Sequence, residues 1–522
     1  MSNTSKPIVI HPLTDLAVFQ SLVCPGNVRK TPPQLTYIFE YLRDLGVKTI
    51  IEEQNYFDRD YLAEFANFYS LTAKGYPNIC RRLHFFTENI DRAQLEAACG
   101  NSAAETTLVT DLFVGFSVIR PIPSAPFGRT VLAWYTDTTP TTPRQIQPCR
   151  AYTVHLAGVA LTLKQGLAWQ QQDAGVSACA TIGLWTMLHS ASFNDRHAVP
   201  TTPDVTQAAH RNVAVGSRVF PSVGLRFEQI CEAVKVLGLS PFIIEGDVSA
   251  RGKGTLGFSE DKFCSSMAAL IRSGYPCLLM GEVKRPDGGG LHVSVVVGFR
   301  STTPKAPAAG KFSFADANIK YLYIHDDNIG PSVKFEVSVK SKRVELTPGR
   351  PTAGSGQSLS YYGKFIPFRI LVAVDSDLRT SADQLNRAGI RATLQMLHAM
   401  TAAATASNPK AAVPGLLLET RFIKYANFMT EEMSAYFSSK AAVLSKVRLQ
   451  LAEAVPPMSL HLGIIRIGDT TGRYLDILHD TTDSDVNHPV FATICYDANI
   501  HKMVNAMVVS VPDRFGIVIA GY

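Results

Sequence analysis

Residues 170–180 read Gln-Gln-Gln-Asp-Ala-Gly-Val-Ser-Ala-Cys-Ala, and the reading of this run decides the fold. Amides, a carboxylate and a glycine lead through a serine into a single cysteine. Ser177 suits an N-cap, and Ile182, Trp185 and Leu188 recur at helical spacing. The pattern predicts a helix from Ala178 to about Ser190, with Cys179 as its second residue and Gly175 permitting the tight turn before it. A sulfur placed there sits beside amide N–H groups that have no partner inside the helix, at the positive end of the helix dipole. Such a setting favours the thiolate that a nucleophilic cysteine needs. Cysteine is also among the residues most often buried in cores, so the assignment rests on partners elsewhere in the chain.

Residues 291–299, Leu-His-Val-Ser-Val-Val-Val-Gly-Phe, follow three glycines. Their β-branched alternation predicts a strand with His292 at its mouth, sharing a face with Ser294 and Val296. A histidine so placed is a candidate general base. The next predicted strand, Tyr321–Ile324, runs into His325-Asp326-Asp327-Asn328. A carboxylate there could accept from the imidazole Nδ1–H and fix the tautomer. Asp326 is the first candidate and Asp327 the alternative, although Asp and Asn also simply favour turns. Gln172 lies seven residues ahead of Cys179 and offers an amide to an oxygen that becomes negative during acyl transfer.

Composition sets the limits. The chain has 522 residues, 46% of them hydrophobic and 18% charged, which describes a folded globular protein of two or three domains. A net charge of +6 is small for this length, and no Lys/Arg-dense stripe occurs, so nucleic acid is not an expected partner. The first residues, Met1 to Pro12, carry no apolar signal segment. No run approaches the ~18 apolar residues of a membrane span. Nine scattered cysteines follow neither disulfide-framework nor Cys-x-x-Cys spacing. The expected setting is therefore a reducing cytoplasm, without membrane contact.

Punctuation divides the chain into residues 1–148, 149–375 and 376–522. The first segment is expected to be α/β: a helix bearing Leu35, Ile38, Phe39 and Leu42 capped by Gly46, a strand at Thr49–Ile51, a helix with Leu62, Phe65 and Phe68 inward, and strands at 107–120 and 129–135. A Pro/Thr-rich linker, Asp137 to Pro148, ends it. The middle segment reads as helices followed by strands, an α+β pattern, interrupted by loops at Ser301–Lys311 and Thr347–Ser358. The last segment has helices at Ser381–Ala404 and Ser438–Val455 and strands at Leu460–Ile467, Tyr474–Ile477 and Phe515–Ile519.

The order of these parts resembles the papain-like cysteine peptidases, most closely the bacterial double-glycine-type branch. The likeness covers about Tyr152 to Val339. It rests on Gln172-Asp173 before Ser177-Ala178-Cys179-Ala180, the helices Phe227–Leu237 and Phe263–Ser273, Gly274-Tyr275-Pro276-Cys277-Leu278-Leu279, the strand opened by His292, and Tyr323-Ile324-His325-Asp326. Ala180 stands where the family usually has glycine, and Asp327 where it often has proline. The resemblance implies a core with a nucleophile helix and an antiparallel sheet carrying His and Asp, flanked by two accessory domains. It implies a protein or peptide substrate, cleavage of peptide or isopeptide bonds without metal or cofactor, and the roles of oxyanion donor, nucleophile, base and orienting acid for Gln172, Cys179, His292 and Asp326. The same residues could serve an acyl transferase or glutamine deamidase, since the thioester is shared, or persist in a silent binding scaffold.

Two motifs point elsewhere and are set aside. Gly252-Lys-Gly254-Thr-Leu-Gly257 matches G-x-G-x-x-G, but Gly246 to Arg251 separate it from the preceding strand, so a loop is expected. Cys80 and His84 lack the second pair a metal site needs, and Cys231 and Cys277 read as core residues.

Overall fold

The computed structural model describes residues 7–522 except 26–31, 101–102, 137–141, 174, 177, 191–192, 194–197, 213–218, 223, 251–252, 286–287, 350–358, 408–411, 483–488 and 511–513. Ser177, much of the Thr347–Ser358 loop and the start of the Asp137–Pro148 linker therefore lie outside the described residues.

The chain is α+β, built on three large sheets. The first is antiparallel and formed in chain order by Ile8–Pro12, Thr49–Tyr56, Cys80–Phe86, Phe113–Ile119 and Phe127–Leu132. The second is a barrel of Cys277–Lys284, Gly290–Ser301, Ile319–Asp326, Gly330–Lys340, Arg343–Gly349 and Lys364–Asp375. Its last strand returns to pair with its first, from Leu278↔Leu371 to Lys284↔Lys364. Closure leaves no open edge among those six strands, and Leu239–Glu245 adds to the outer side of Lys364–Asp375. The third sheet has six strands, five of them from the last segment. Its remaining strand, Phe312–Phe314, comes from the middle segment and pairs parallel with Leu416–Lys424. The expected loop Ser301–Lys311 thus delivers a strand to the C-terminal sheet. One apolar core runs without a break from Phe19 to Phe515 and includes residues of all three segments.

The helix that carries Cys179 spans Cys179–Leu188, and every residue from Ala180 to Leu188 is buried. Such a helix must be covered all round. The strand Gly290–Ser301 lies on one side and the helix Thr202–Ala209 on another. Gly183 is what allows the close approach: a Cβ there would sit 2.4 Å from Leu278 Cδ1, with Val293 and Val295 just beyond.

Several expectations change. The helix Pro33–Asp44 forms, and Gly46 at φ 74° closes it as expected. The helix Arg59–Asn67, however, buries Asp60, Tyr61 and Glu64 most deeply, while Phe65 and Phe68 pack against the core only half-buried. Apolar periodicity fails there because Glu64 is held by an internal cation, described below. Residues 107–111 of the expected 107–120 strand belong to the helix Ala103–Asp111, and the strand begins at Phe113. The described part of the Gly-rich motif, Lys253–Gly257, is a strand paired with Val248–Ala250, so it opens no helix. No helix among the described residues is long and apolar enough to cross a membrane.

Replacing Gly183 by Val forces two branched methyls into the Leu278 contact. Overpacking of this kind should lower stability by about 1–3 kcal/mol, seen as a fall in the urea midpoint at unchanged slope; an unaltered midpoint would mean the helix is not seated closely on the barrel.

Candidate active site

Cys179 is the first helical residue, one place earlier than the sequence pattern predicts, because Ala178 occupies the N-cap with extended backbone angles. The first helical hydrogen bond runs from Ile182 N–H to the Ala178 carbonyl. The N–H groups of Cys179, Ala180 and Thr181 therefore have no acceptor within the helix. The approach to the helix is fixed by Asp173, whose Oδ1 accepts from the N–H groups of Gly175 and Val176, both at 2.7 Å. Gly175 is required here for proximity as much as for turning: a Cβ would lie 2.5 Å from the Phe68 ring.

His292 is brought to Cys179 by the barrel. The strands Gly290–Ser301 and Ile319–Asp326 pair Val295 with His325 and Val296 with Ile324. Extending that register sets Asp326 across from Ser294, one pleat from His292 on the same face. Asp326 Oδ2 accordingly lies 2.9 Å from His292 Nε2. The sequence reading placed the carboxylate on Nδ1; the ring instead turns Nε2 to Asp326. Asn328 Nδ2 also approaches Nε2, at 3.5 Å, which leaves Nδ1 for the side-chain hydrogen bond with Cys179. Burial alone would discourage protonation of this imidazole, but the charge and hydrogen bond of Asp326, the Cys179 contact and the Asp327 charge outweigh it. His292 is held well above the usual histidine range.

Asp326 has no exposed surface and is well satisfied. Besides facing Nε2, its Oδ2 accepts from the Tyr362 hydroxyl at 2.8 Å, and its Oδ1 from the Asn328 N–H at 2.9 Å. Asp327 Oδ1 lies farther from Nε2, at 3.6 Å. Burial and the Asp326 charge push the Asp327 carboxyl up to about 7, against the pull of His292. The adjacent His325 is a structural residue. Its Nδ1 accepts from the Ser332 N–H and its Nε2 donates to the Leu167 carbonyl, while burial pushes it down to about 4.

Gln172 donates from Nε2 to Asn328 Oδ1 at 2.7 Å. It lines, with Cys179, His292, Asn328, Arg285 and Gly288–Leu291, a cleft of about 440 Å³. The four residues singled out in the sequence are thus gathered at one place: Cys179, His292 and Gln172 on the cleft, and Asp326 behind the imidazole. Tyr362 and Asn328 were not singled out. Asn328 stood in the Asp-Asp-Asn turn, but nothing in the sequence ties Tyr362 to a carboxylate 36 residues away.

The N-terminal segment helps to build this site. Arg120 is buried at the end of the first sheet, where Nη1 meets Glu64 Oε2 at 2.9 Å and Asp173 Oδ2 at 3.3 Å. Its Nη2 donates to the Ala125 and Gln171 carbonyls. Glu64 also accepts from Gln170 and Thr202. The loop from Gln170 to Val176 therefore hangs on a guanidinium of the first sheet. On the other side, the helix Pro33–Asp44 holds the acid turn: Gln34 donates to the Asp327 carbonyl and the Tyr37 hydroxyl to that of Pro331.

Among the described residues, two triplets of side chains bring ligand atoms within 4.8 Å of one another: His292, Asp326 and Asp327, and Asp375, Asp377 and His461. In the first, the ring nitrogen and Asp326 already satisfy each other. All nine cysteines are free thiols. Cys80 and His84 lie in one strand of the first sheet, with His84 Nε2 3.3 Å from Glu53. No protein-family model matches the chain, and no curated protein sequence matches it either.

Arg120→Met would strand Glu64 and Asp173 as buried charges without a cation. The expected loss is about 3–5 kcal/mol, read by denaturant unfolding. Glu64→Gln with Arg120→Met should cost less than the sum of the single variants, because the two side chains interact directly; strict additivity would show that they do not.

Proposed function

We propose that the chain is a cysteine peptidase with a papain-like core, cleaving peptide or isopeptide bonds in a protein or peptide substrate. The observation that carries this reading is a cysteine at the first turn of a helix, in contact with an imidazole whose far nitrogen faces a buried, fully hydrogen-bonded carboxylate. A buried helix packed against an antiparallel barrel that supplies His and Asp is the arrangement expected of that core. Free thiols throughout suit a reducing, cytoplasmic setting.

The groups account for each step. The protonated imidazole faces sulfur at the positive end of a helix, so a thiolate–imidazolium pair is favoured by both neighbours. The thiolate attacks the carbonyl carbon. The oxygen that becomes negative is received by the Cys179 N–H and by the Gln172 amide, which keeps its second N–H beyond the one given to Asn328. His292 then gives its Nδ1 proton to the departing amine, leaving a thioester on Cys179. In the second half, His292 takes a proton from water and the hydroxide attacks the thioester carbonyl; the C–S bond then breaks, the acid product leaves, and Cys179 is returned as thiolate beside the imidazolium. Asp326 keeps the ring in register throughout, and Tyr362 keeps Asp326 in place.

A general thiol-protease inhibitor should add once to the wild type, as read by intact mass, and not at all to Cys179→Ala. Cys231 is an internal control, half-buried with its thiol pushed up by burial. If Cys179 labels no faster than Cys231, the reading fails. On a peptide substrate, Cys179→Ala and His292→Ala should each lower kcat/KM by about 10³-fold or more. Asp326→Asn should lower kcat with little change in KM, since it touches no substrate.

A further inference from the structure

Asp327 is a buried carboxylate that the steps above leave unused. It is 3% exposed, and among the described residues no side-chain donor hydrogen-bonds either carboxyl oxygen. Its backbone carbonyl is tied to Gln34, which fixes the residue without satisfying the side chain. Asp326, its neighbour in sequence, takes up the Tyr362 hydroxyl, the Asn328 N–H and the imidazole. Two carboxylates thus share one histidine, one fully satisfied and one held beside the ring with only backbone N–H groups and the more distant imidazole to answer it. A carboxylate kept dry and so weakly answered costs heavily when ionised, so its presence 3.6 Å from Nε2 calls for a reason.

We propose that Asp327 is a positioning residue that tunes His292: ionised, it adds a second negative charge to the imidazolium and strengthens the thiolate–imidazolium pair; protonated, it leaves that pair to Asp326 alone. This rests on Cys179 and His292 being the reactive pair. The groups that face Asp327 are few. His292 comes from the strand Gly290–Ser301 and Asp326 precedes it in the chain. Tyr362 feels its charge from the 359–363 turn and stays neutral, held well above the usual tyrosine range by burial and by Asp326. From the helix Pro33–Asp44 come uncharged Gln34 and Tyr37, the latter also kept protonated by burial. His292 is therefore the one cation among them. Burial and Asp326 hold the Asp327 proton up to about 7, so the two states exchange near neutral pH. Formation of the reactive thiolate then follows two linked ionisations in place of one.

The alkylation rate of Cys179 by iodoacetamide, followed by mass from pH 4 to 10, reads this without any substrate. In the wild type the rate should rise in two steps, the second centred near pH 7. Asp327→Asn should lose that second step. Its imidazolium, lacking one carboxylate, should also give up its proton at lower pH. Asp327→Ala should behave in the same way if the amide variant folds poorly. Superimposable profiles for wild type and both variants, with Cys179 still labelling fast, would overturn the proposal and leave the peptidase reading intact. Slow labelling in the wild type would bring down the peptidase reading and this one with it. A second measurement is independent of the thiol. An unfolded aspartate releases its proton near pH 4, whereas folded Asp327 keeps it to about 7. Unfolding therefore releases a proton across that window, and wild-type stability should fall there relative to Asp327→Asn, then run parallel above it. Parallel curves from pH 4 upward would count against the buried proton, and so against the proposal.

Discussion

A guanidinium sealed from water must be answered by charge, and the arrangement around Arg120 is the answer. Its side chain is 1% exposed, two carboxylates from different parts of the chain meet Nη1, and two carbonyls accept from Nη2. Neither carboxylate could be buried without it. Glu64 turns the charged face of its helix inward against the apolar pattern, and Asp173 can then spend its other oxygen on the turn that opens the Cys179 helix. The loop ahead of Cys179 and the first sheet are thereby one unit. An accessory segment joined only by a linker would leave that loop to hold itself.

The barrel supplies the other half of the site by geometry. A strand pair in fixed register puts alternate side chains on one face, and so separates two histidines that the sequence offers on almost equal terms. His292 faces the cleft and meets Asp326, whereas His325 faces the Leu167 carbonyl and the Ser332 amide. The consequence is electrostatic. Burial lowers both imidazoles, but only one has carboxylates beside it, so His292 is driven up and His325 down. The same turn that delivers Asp326 delivers Asp327, and the difference between them is partners: Asp326 takes the imidazole, the Tyr362 hydroxyl and the Asn328 N–H, whereas no side-chain donor among the described residues hydrogen-bonds Asp327.

Much of this was legible in the chain as written. The helix after residue 177, the strand opened by His292 and the acid turn at 326–328 each follow from local rules of capping, alternation and turn chemistry, and those rules act over a few residues. The same rules missed the charged face that the helix Arg59–Asn67 buries most deeply, and took residues 107–111 for strand. In the first case the deciding partner, Arg120, lies 56 residues away. The N-cap expected at Ser177 is instead Ala178, which caps without a side-chain hydrogen bond.

The sequence by itself determined which residues could carry chemistry and the secondary structure on which most of them sit, because these depend on neighbours in the chain. Tertiary structure alone decided that Nε2 and not Nδ1 faces the acid, that Asp326 and not Asp327 holds the imidazole, and that Tyr362 and Arg120 belong to the site. Each of those outcomes depends on burial and on charges brought together from distant segments. Such contacts leave no periodic trace, because their energy comes from removing water between groups that the chain itself keeps far apart.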